Sequence, residues 1–117
     1  MLETPLMNNL GRYLDLTARR QSIISGNISN IDTPGYQTQD INFQHELQRL
    51  MNGNETSADA IPTQKVPGLI ARPDGNNVSL EREGLLLGQT HLQFRTGVEL
   101  IKAEFHKLQT AINEGGK

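Results

Sequence analysis

Ser25-Gly26-Asn27-Ile28-Ser29-Asn30-Ile31-Asp32-Thr33-Pro34-Gly35-Tyr36 is the stretch in which a long helix must give way to something else. Pro34 pushes the residue before it out of the α region, so a helix running into this stretch ends near Ile31. Pro34-Gly35 fits the middle of a type II turn, whose third residue needs a positive φ that glycine adopts freely. Asp32 and Thr33 can bond locally to the turn backbone. Ser25, Gly26 and Ser29 are small enough for another helix to come close. Asn27 and Asn30 can either cap their own helix end or bond across to a neighbour and fix its register; the residues leave both readings open.

Upstream, Thr4-Pro5 is a helix start, because threonine can accept a bond from an unpaired amide and proline at the first helical position has no donor to lose. From there Met7, Leu10, Leu14, Thr17, Gln21, Ile24, Ile28 and Ile31 follow in steps of three and four, and six of the eight are apolar. That spacing keeps one seam on one face of a helix roughly 40 Å long at ~1.5 Å per residue. Leu6, Tyr13, Leu16 and Ile23 widen the seam, while Arg12, Asp15, Arg19 and Ser22 are expected to face outward.

Downstream, residues 36–78 carry Gly, Pro, Asn and Gln throughout and few periodic apolar residues, the pattern of an extended, largely irregular segment with no core of its own. Ile41-Asn42-Phe43 could form a short strand. His45 to Met51 could form about two helical turns, anchored only by Leu47, Leu50 and Met51. Asn52 to Gln64 reads as mobile, and Val66-Pro67-Gly68 and Arg72-Pro73-Asp74-Gly75 are turn signals.

A second long helix is expected from Ser79 to about Asn113, with Glu81 and Glu83 in the first turn where the helix dipole favours negative charge. Its seam reads Leu80, Gly84, Leu87, His91, Phe94, Val98, Ile101, Phe105, Leu108 and Ile112, again at about 3.5 residues per step. Leu85 and Leu86 broaden it beyond what a single partner helix could cover. Gly84, Gly88 and Gly97 lie inside this helix, where each costs about 1 kcal/mol against Ala unless it allows close backbone packing. Glu114-Gly115-Gly116 suits its C-terminal cap. The fold expected is therefore all-α: two long terminal helices in an antiparallel, coiled-coil-like hairpin joined by the irregular middle. Residues 1–35, 36–78 and 79–117 together make one core.

The chain has 117 residues, 35% apolar and only 4% aromatic, which suits one modest domain that borrows part of its core from neighbours. Net charge is −2 and the basic residues are scattered, so nucleic-acid binding is not expected. There is no cysteine for disulfides, thiolate metal sites or thiol nucleophiles. No secretory signal and no run of about 18 apolar residues is read in the sequence. His45-Glu46 begins like a zinc-protease motif, but Arg49 stands where its second His belongs. His91 and His106 have no clustered carboxylates, so no metal and no cofactor is assigned, and no small-molecule substrate. Three matches to the glycosylation sequon, at Asn27, Asn54 and Asn77, are read as chance, and Gly84/Gly88 as no membrane motif among Arg82, Glu83 and Gln89.

Residues 25–36 closely resemble the N-terminal signature of the flagellar rod and hook family, written A-N-N-I-A-N-x-x-T-P-G-Y. Ser25, Gly26 and Ser29 replace its Ala, Asn and Ala, and Gln37 stands where Lys or Arg is common. The last helix resembles the family's C-terminal coiled-coil segment. Short length, Asp40-Ile41-Asn42-Phe43 and the Asp74-Gly75-Asn76-Asn77-Val78 lead-in resemble the proximal-rod members. The resemblance implies a structural subunit, not an enzyme, exported unfolded by the flagellar type III apparatus and assembling in the periplasm. Its implied partners are other copies of itself, adjoining rod and adaptor subunits, and the membrane ring and export gate. The candidate subunit-interface residues are Met7, Leu10, Leu14, Ile24, Asn27, Ile28, Asn30 and Ile31 on the first helix. On the second they are Leu87, Phe94, Val98, Ile101, Phe105, Leu108 and Ile112, with Thr33, Pro34, Gly35 and Tyr36 as the signature turn. The rival reading is a soluble helical adaptor or regulatory binding module that lays the same amphipathic helices on one partner.

Overall fold

The structure, a computed structural model, describes residues 4–54 and 57–115. Two long helices dominate it: α1, Pro5–Ser29, and α3, Leu80–Gly115. Between them lie a short strand β1, Gln39–Asp40, a helix α2, Phe43–Met51, a 3-10 turn, Ala58–Ala60, and a strand β2, Gln64–Lys65. The sequence cues at the helix starts work as the chemistry requires. The Met7 amide donates to Thr4 Oγ1 at 3.1 Å, and the Arg82 amide donates to Ser79 Oγ at 3.2 Å. α3 runs to Gly115; Gly116, part of the expected cap, lies outside the described residues.

The terminal helices lie side by side in opposite directions, Asn27 meeting Glu83 at one end and Leu14 facing Gly97 further along. At ~1.5 Å per residue α3 spans roughly 54 Å and α1 roughly 38 Å, so the last turns of α3 project beyond the start of α1. The molecule measures 71 × 25 × 18 Å.

The fold is mostly helical but carries a small two-stranded sheet, and its middle, most of which lies outside regular elements, still contains β1, α2, the 3-10 turn and β2. β1 and β2 pair antiparallel, Gln39 opposite Lys65 and Asp40 opposite Gln64. The strand expected at Ile41–Phe43 is displaced: Asn42 caps α2, its Oδ1 accepting from the His45 amide at 3.2 Å, and Phe43 opens that helix. Asn52–Gln64, read as mobile, includes the 3-10 turn and the buried Ile61, while residues 55–56 lie outside the described residues.

The middle also builds a core that the sequence reading denied it. Leu16 and Ile23 of α1 pack with Ile41, Phe43, Leu50 and Ile61, and Tyr13, Leu47 and Ala58 close the edges. Tyr13 and Phe43 meet edge to face at 6.1 Å, and the Arg20 guanidinium lies 5.8 Å from the Phe43 ring centre. Met51, expected as an anchor, is exposed. Leu16 and Ile23 thus belong to a second face of α1, separate from the face against α3. Arg12 and Arg19, expected to point outward, hold the middle in place instead. Arg12 Nη1 donates to the Leu50 carbonyl at 3.0 Å and Arg19 Nη2 to that of Ile61 at 3.1 Å.

Candidate subunit interface and the polar junction beside it

The signature stretch ends α1 in a turn closed by the Tyr36 amide donating to the Thr33 carbonyl at 3.2 Å. Gly35 has φ +76°, the conformation that a type II turn demands of its third residue. A second turn abuts it. A Cβ placed on Gly75 would lie 3.4 Å from the Gly35 Cα.

Asparagines 76 and 77 join the two turns. Asn76, fully buried, donates through Nδ2 to the carbonyls of Asn30 at 2.9 Å and Thr33 at 2.8 Å, and its Oδ1 accepts from the Val78 amide. Asn77 Oδ1 accepts from the Thr38 amide at 2.7 Å and the Thr38 hydroxyl at 2.9 Å. The Arg72 guanidinium donates to the Ile31 carbonyl at the end of α1. Gln37, where the family pattern has Lys or Arg, donates to the Gly75 carbonyl at 2.6 Å and accepts from Asn77 at 2.9 Å. An amide can do both; an ammonium cannot accept.

Asn27 is the hub and uses all four of its hydrogen-bonding positions. Nδ2 donates to the Gln39 carbonyl at 2.8 Å and to Glu83 Oε1 at 2.6 Å; Oδ1 accepts from the Tyr36 hydroxyl and the Gln39 amide, both at 3.0 Å. It therefore bonds across the fold, whereas Asn30 stays local. Asn30 Nδ2 donates to the Gly26 carbonyl at 2.8 Å, and its Oδ1 accepts from the Thr33 hydroxyl. Glu83 has no exposed surface and accepts from Arg82 Nη1 at 2.6 Å as well as from Asn27. Arg82 also reaches Asp40 at 3.4 Å, and Arg20 grips Asp40 through two bonds of 3.0 and 3.2 Å. Two carboxylates and two guanidinium groups so balance in a largely buried junction, as buried charges must. Burial first, and the Glu83 charge second, raise the Tyr36 pKa above the ordinary tyrosine value.

Sequence reasoning missed Thr38, Asp40, Asn76, Asn77, Arg82 and Glu83. Asp74-Gly75 was visible as a turn, but hydrogen bonds to residues about 40 positions away leave no local pattern.

The face of α3 turned to α1 coincides only in part with the apolar seam of the sequence. Glu83, Thr90 and Gly97 are the buried residues of α3, with Leu87, Phe94 and Ile101 beside them half-buried. Gly84 and His91, assigned to the seam, are exposed; Leu80, Phe105 and Ile112 are 57%, 43% and 51% exposed. Gly97 explains the closeness of the helices, since a Cβ there would stand 2.7 Å from Leu14 Cδ2 and 3.2 Å from a Tyr13 ring carbon. Gly84 and Gly88 have no such neighbour. Of the candidate interface residues, Ile24 and Asn27 are buried inside this chain and have no surface left for a neighbour. Met7, Leu10, Leu14, Ile28, Asn30, Ile31, Leu87, Phe94, Val98, Ile101 and Leu108 are half-buried. Leu85 and Leu92, on the side of α3 away from α1, are 74% and 63% exposed.

Nothing in this arrangement resembles a reaction centre. Among the described residues no three His, Cys, Asp or Glu side chains gather as metal ligands would. Of the sequon asparagines Asn27 and Asn77 are buried, and the third sequon runs into residues 55–56, outside the described residues.

Comparison with known proteins identifies the arrangement. The family model described as "Flagella basal body rod protein" matches residues 7–37, which are α1 and the signature turn. The flagellar basal body rod protein FlgB of Salmonella typhimurium is 33% identical over 122 residues, covering 87% of this chain and 88% of that one. The FlgB protein of Bacillus subtilis is 29% identical over 95% of both chains, and that of Yersinia ruckeri 29% identical over 87% and 89%. Similarity over most of both chains, together with the family model's match to α1 and the signature turn, makes the chain a member of the FlgB family of flagellar basal body rod proteins.

Proposed function

We propose that this chain enters the proximal rod as a polymerising subunit, joined to its neighbours through the faces of α1 and α3 that its own fold leaves open. As a member of the family it is a structural component of the flagellar basal body rod and not an enzyme. The single observation that carries the assembly reading is the apolar surface of α3. Leu80, Leu85, Leu92, Leu100, Phe105 and Ile112 are all at least 43% exposed, spread around a helix already packed on α1. Burying such side chains against a neighbour is favourable by ~25 cal/mol per Å² before ordering costs.

Three features of α1 and its surroundings support the same reading. Ser25 and Ser29 are exposed and a Cβ at Gly26 would meet nothing, so the small-residue side of α1 stays open to a neighbouring helix. A groove of about 430 Å³ lined by Met7, Asn8, Gly11, Arg12, Asp15 and Ile101 opens alongside the first half of α1. The last turns of α3 carry Leu108, half-buried, and Ile112, 51% exposed. Copies of the chain and adjoining rod and adaptor subunits are the partners we propose, next to the membrane ring and export gate. Export by the flagellar type III apparatus and assembly in the periplasm complete this reading.

The test is replacement of Leu85 and Leu92 together by Ser in a motile host. The variant chain should be made and exported at the ordinary level yet be missing from purified basal bodies. Normal incorporation would remove this face from the interface.

A further inference from the structure

We infer that Glu83, held by Asn27 and Arg82, is a positioning residue that sets the rotation of α3 on α1 and thereby decides which apolar residues face the neighbouring subunits. The inference rests on the assembly reading above but concerns a different question, how one chain chooses which face to present.

Hydrophobicity alone would not choose the observed face. The line of α3 nearest α1 consists of Glu83, Thr90 and Gly97, followed by Glu104, and contains no large apolar residue. The line one residue on, Leu80, Gly84, His91, Val98, Phe105 and Ile112, shares the same flank of Leu87, Phe94 and Ile101 and carries four apolar side chains. Bringing the second line to the place of the first rotates the helix by ~100°, the angle between successive residues. A chain that buried as much apolar surface as it could in isolation would make that rotation.

Two contacts oppose it. Gly97 permits the close approach to Leu14 and Tyr13 that a larger residue at this place would block, but glycine allows a rotation and does not compel one. Glu83 compels it. Its carboxylate lies wholly buried, 2.6 Å from Asn27 Nδ2 and 2.6 Å from Arg82 Nη1, and any rotation of α3 would leave Glu83 and Asn27 without each other inside the protein. An orphaned buried charge is strongly unfavourable, so the pair acts over a short range and tolerates one angle. Asn27 is itself pinned from the other side by Gln39 and Tyr36, so this reference point does not move with α3, and Arg82, which does, reaches Asp40 outside the helix. Buried polar pairs of this kind can specify register between helices at the expense of stability.

The absence of native cysteine makes the rotation measurable. In the purified full-length chain, Leu14→Cys is combined with either Gly97→Cys or Val98→Cys, and the rate of intramolecular disulfide closure is measured under mild oxidation. With Glu83 present the 14/97 pair should close at least ten-fold faster than the 14/98 pair. Glu83→Leu, which leaves Arg82 on Asp40 and Asn27 on Gln39 and Tyr36, should narrow that ratio below three-fold or invert it, with helicity by circular dichroism unchanged or higher. Glu83→Gln, which can still accept from Asn27, should keep the ratio. An unchanged ratio in Glu83→Leu overturns the proposal, and so does a lost ratio accompanied by lost helicity, because Glu83 would then only stabilise the fold. Incorporation into basal bodies separates the two readings. A shifted ratio with normal incorporation leaves the positioning role standing and defeats the assembly face.

Discussion

α1 is packed on two sides by opposite means. Toward the middle segment it offers Leu16 and Ile23 to Ile41, Phe43, Leu50 and Ile61, an apolar core closed within the chain. Toward α3 it meets a partly polar line, Glu83, Thr90 and Gly97, flanked by half-buried Leu87, Phe94 and Ile101, while Leu85, Leu92 and Leu100 of α3 stay exposed. The first side stores the subunit's own stability. The second, on the reading proposed above, leaves apolar surface of α3 open for assembly. One helix can serve both because its faces are about 100° apart and each is read by a different partner.

The comparison breaks most readily at Phe43. Phe43→Ala removes a ring that touches both Tyr13 and Arg20 and should lower subunit stability by about 3–5 kcal/mol, seen as a lower urea midpoint. A change below 1 kcal/mol would mean that the middle carries no core of its own. On the α3 side, Gly97→Val places carbon where Leu14 and Tyr13 already stand and should cost about 1–3 kcal/mol, with Leu14→Ala in the same chain recovering part of the loss. Failure of the double variant to recover anything would show that the closeness of the helices is not set at this contact.

Gly35→Val tests the junction between the two sides. At φ +76° a β-branched residue is strained by about 1–3 kcal/mol, and the chain from Tyr36 onward should be misdirected. The variant should be exported yet absent from basal bodies; a normal rod would show that the aim of this turn is unimportant. Leu92→Ser alone should shift stability by less than about 0.5 kcal/mol, because this side chain is already 63% exposed, and reduce incorporation instead. A large fall in the denaturation midpoint would move Leu92 into the chain's own core.

The smallest effect is on pH dependence. The folded chain holds the Tyr36 proton more tightly than an unfolded chain does, since its pKa is raised by burial and by Glu83. That contribution is present in full below about pH 10, the ordinary tyrosine value, and is lost as pH rises through the folded value. Tyr36→Phe should flatten the alkaline loss of stability without abolishing it, because burial raises Tyr13 in the same direction. An identical alkaline profile in Tyr36→Phe would mean that the tyrosine ionises as freely folded as unfolded.

Both terminal helices, their starts at Thr4-Pro5 and Ser79 and the turn at Pro34-Gly35 were legible because each is encoded within a few residues. The core of the middle segment was not, since Ile41, Phe43, Leu50 and Ile61 follow no helical or strand period; the surface of α1 is what gathers them. The polar junction was legible only in part. Asn27 stood out within a family signature, but its partner Glu83 lies 56 residues away and looked like an ordinary first-turn acid.

By itself, then, the sequence determined the helices, the turn and the family, all of them consequences of local backbone chemistry and of one contiguous motif. Tertiary structure alone decided the rotation of α3. Periodicity places apolar residues on a helix but cannot weigh a seam that buries leucine against one that pairs a buried carboxylate. That choice depends on where Asn27, Asp40 and Arg82 meet in space, because an unpaired buried charge costs more than an exposed leucine.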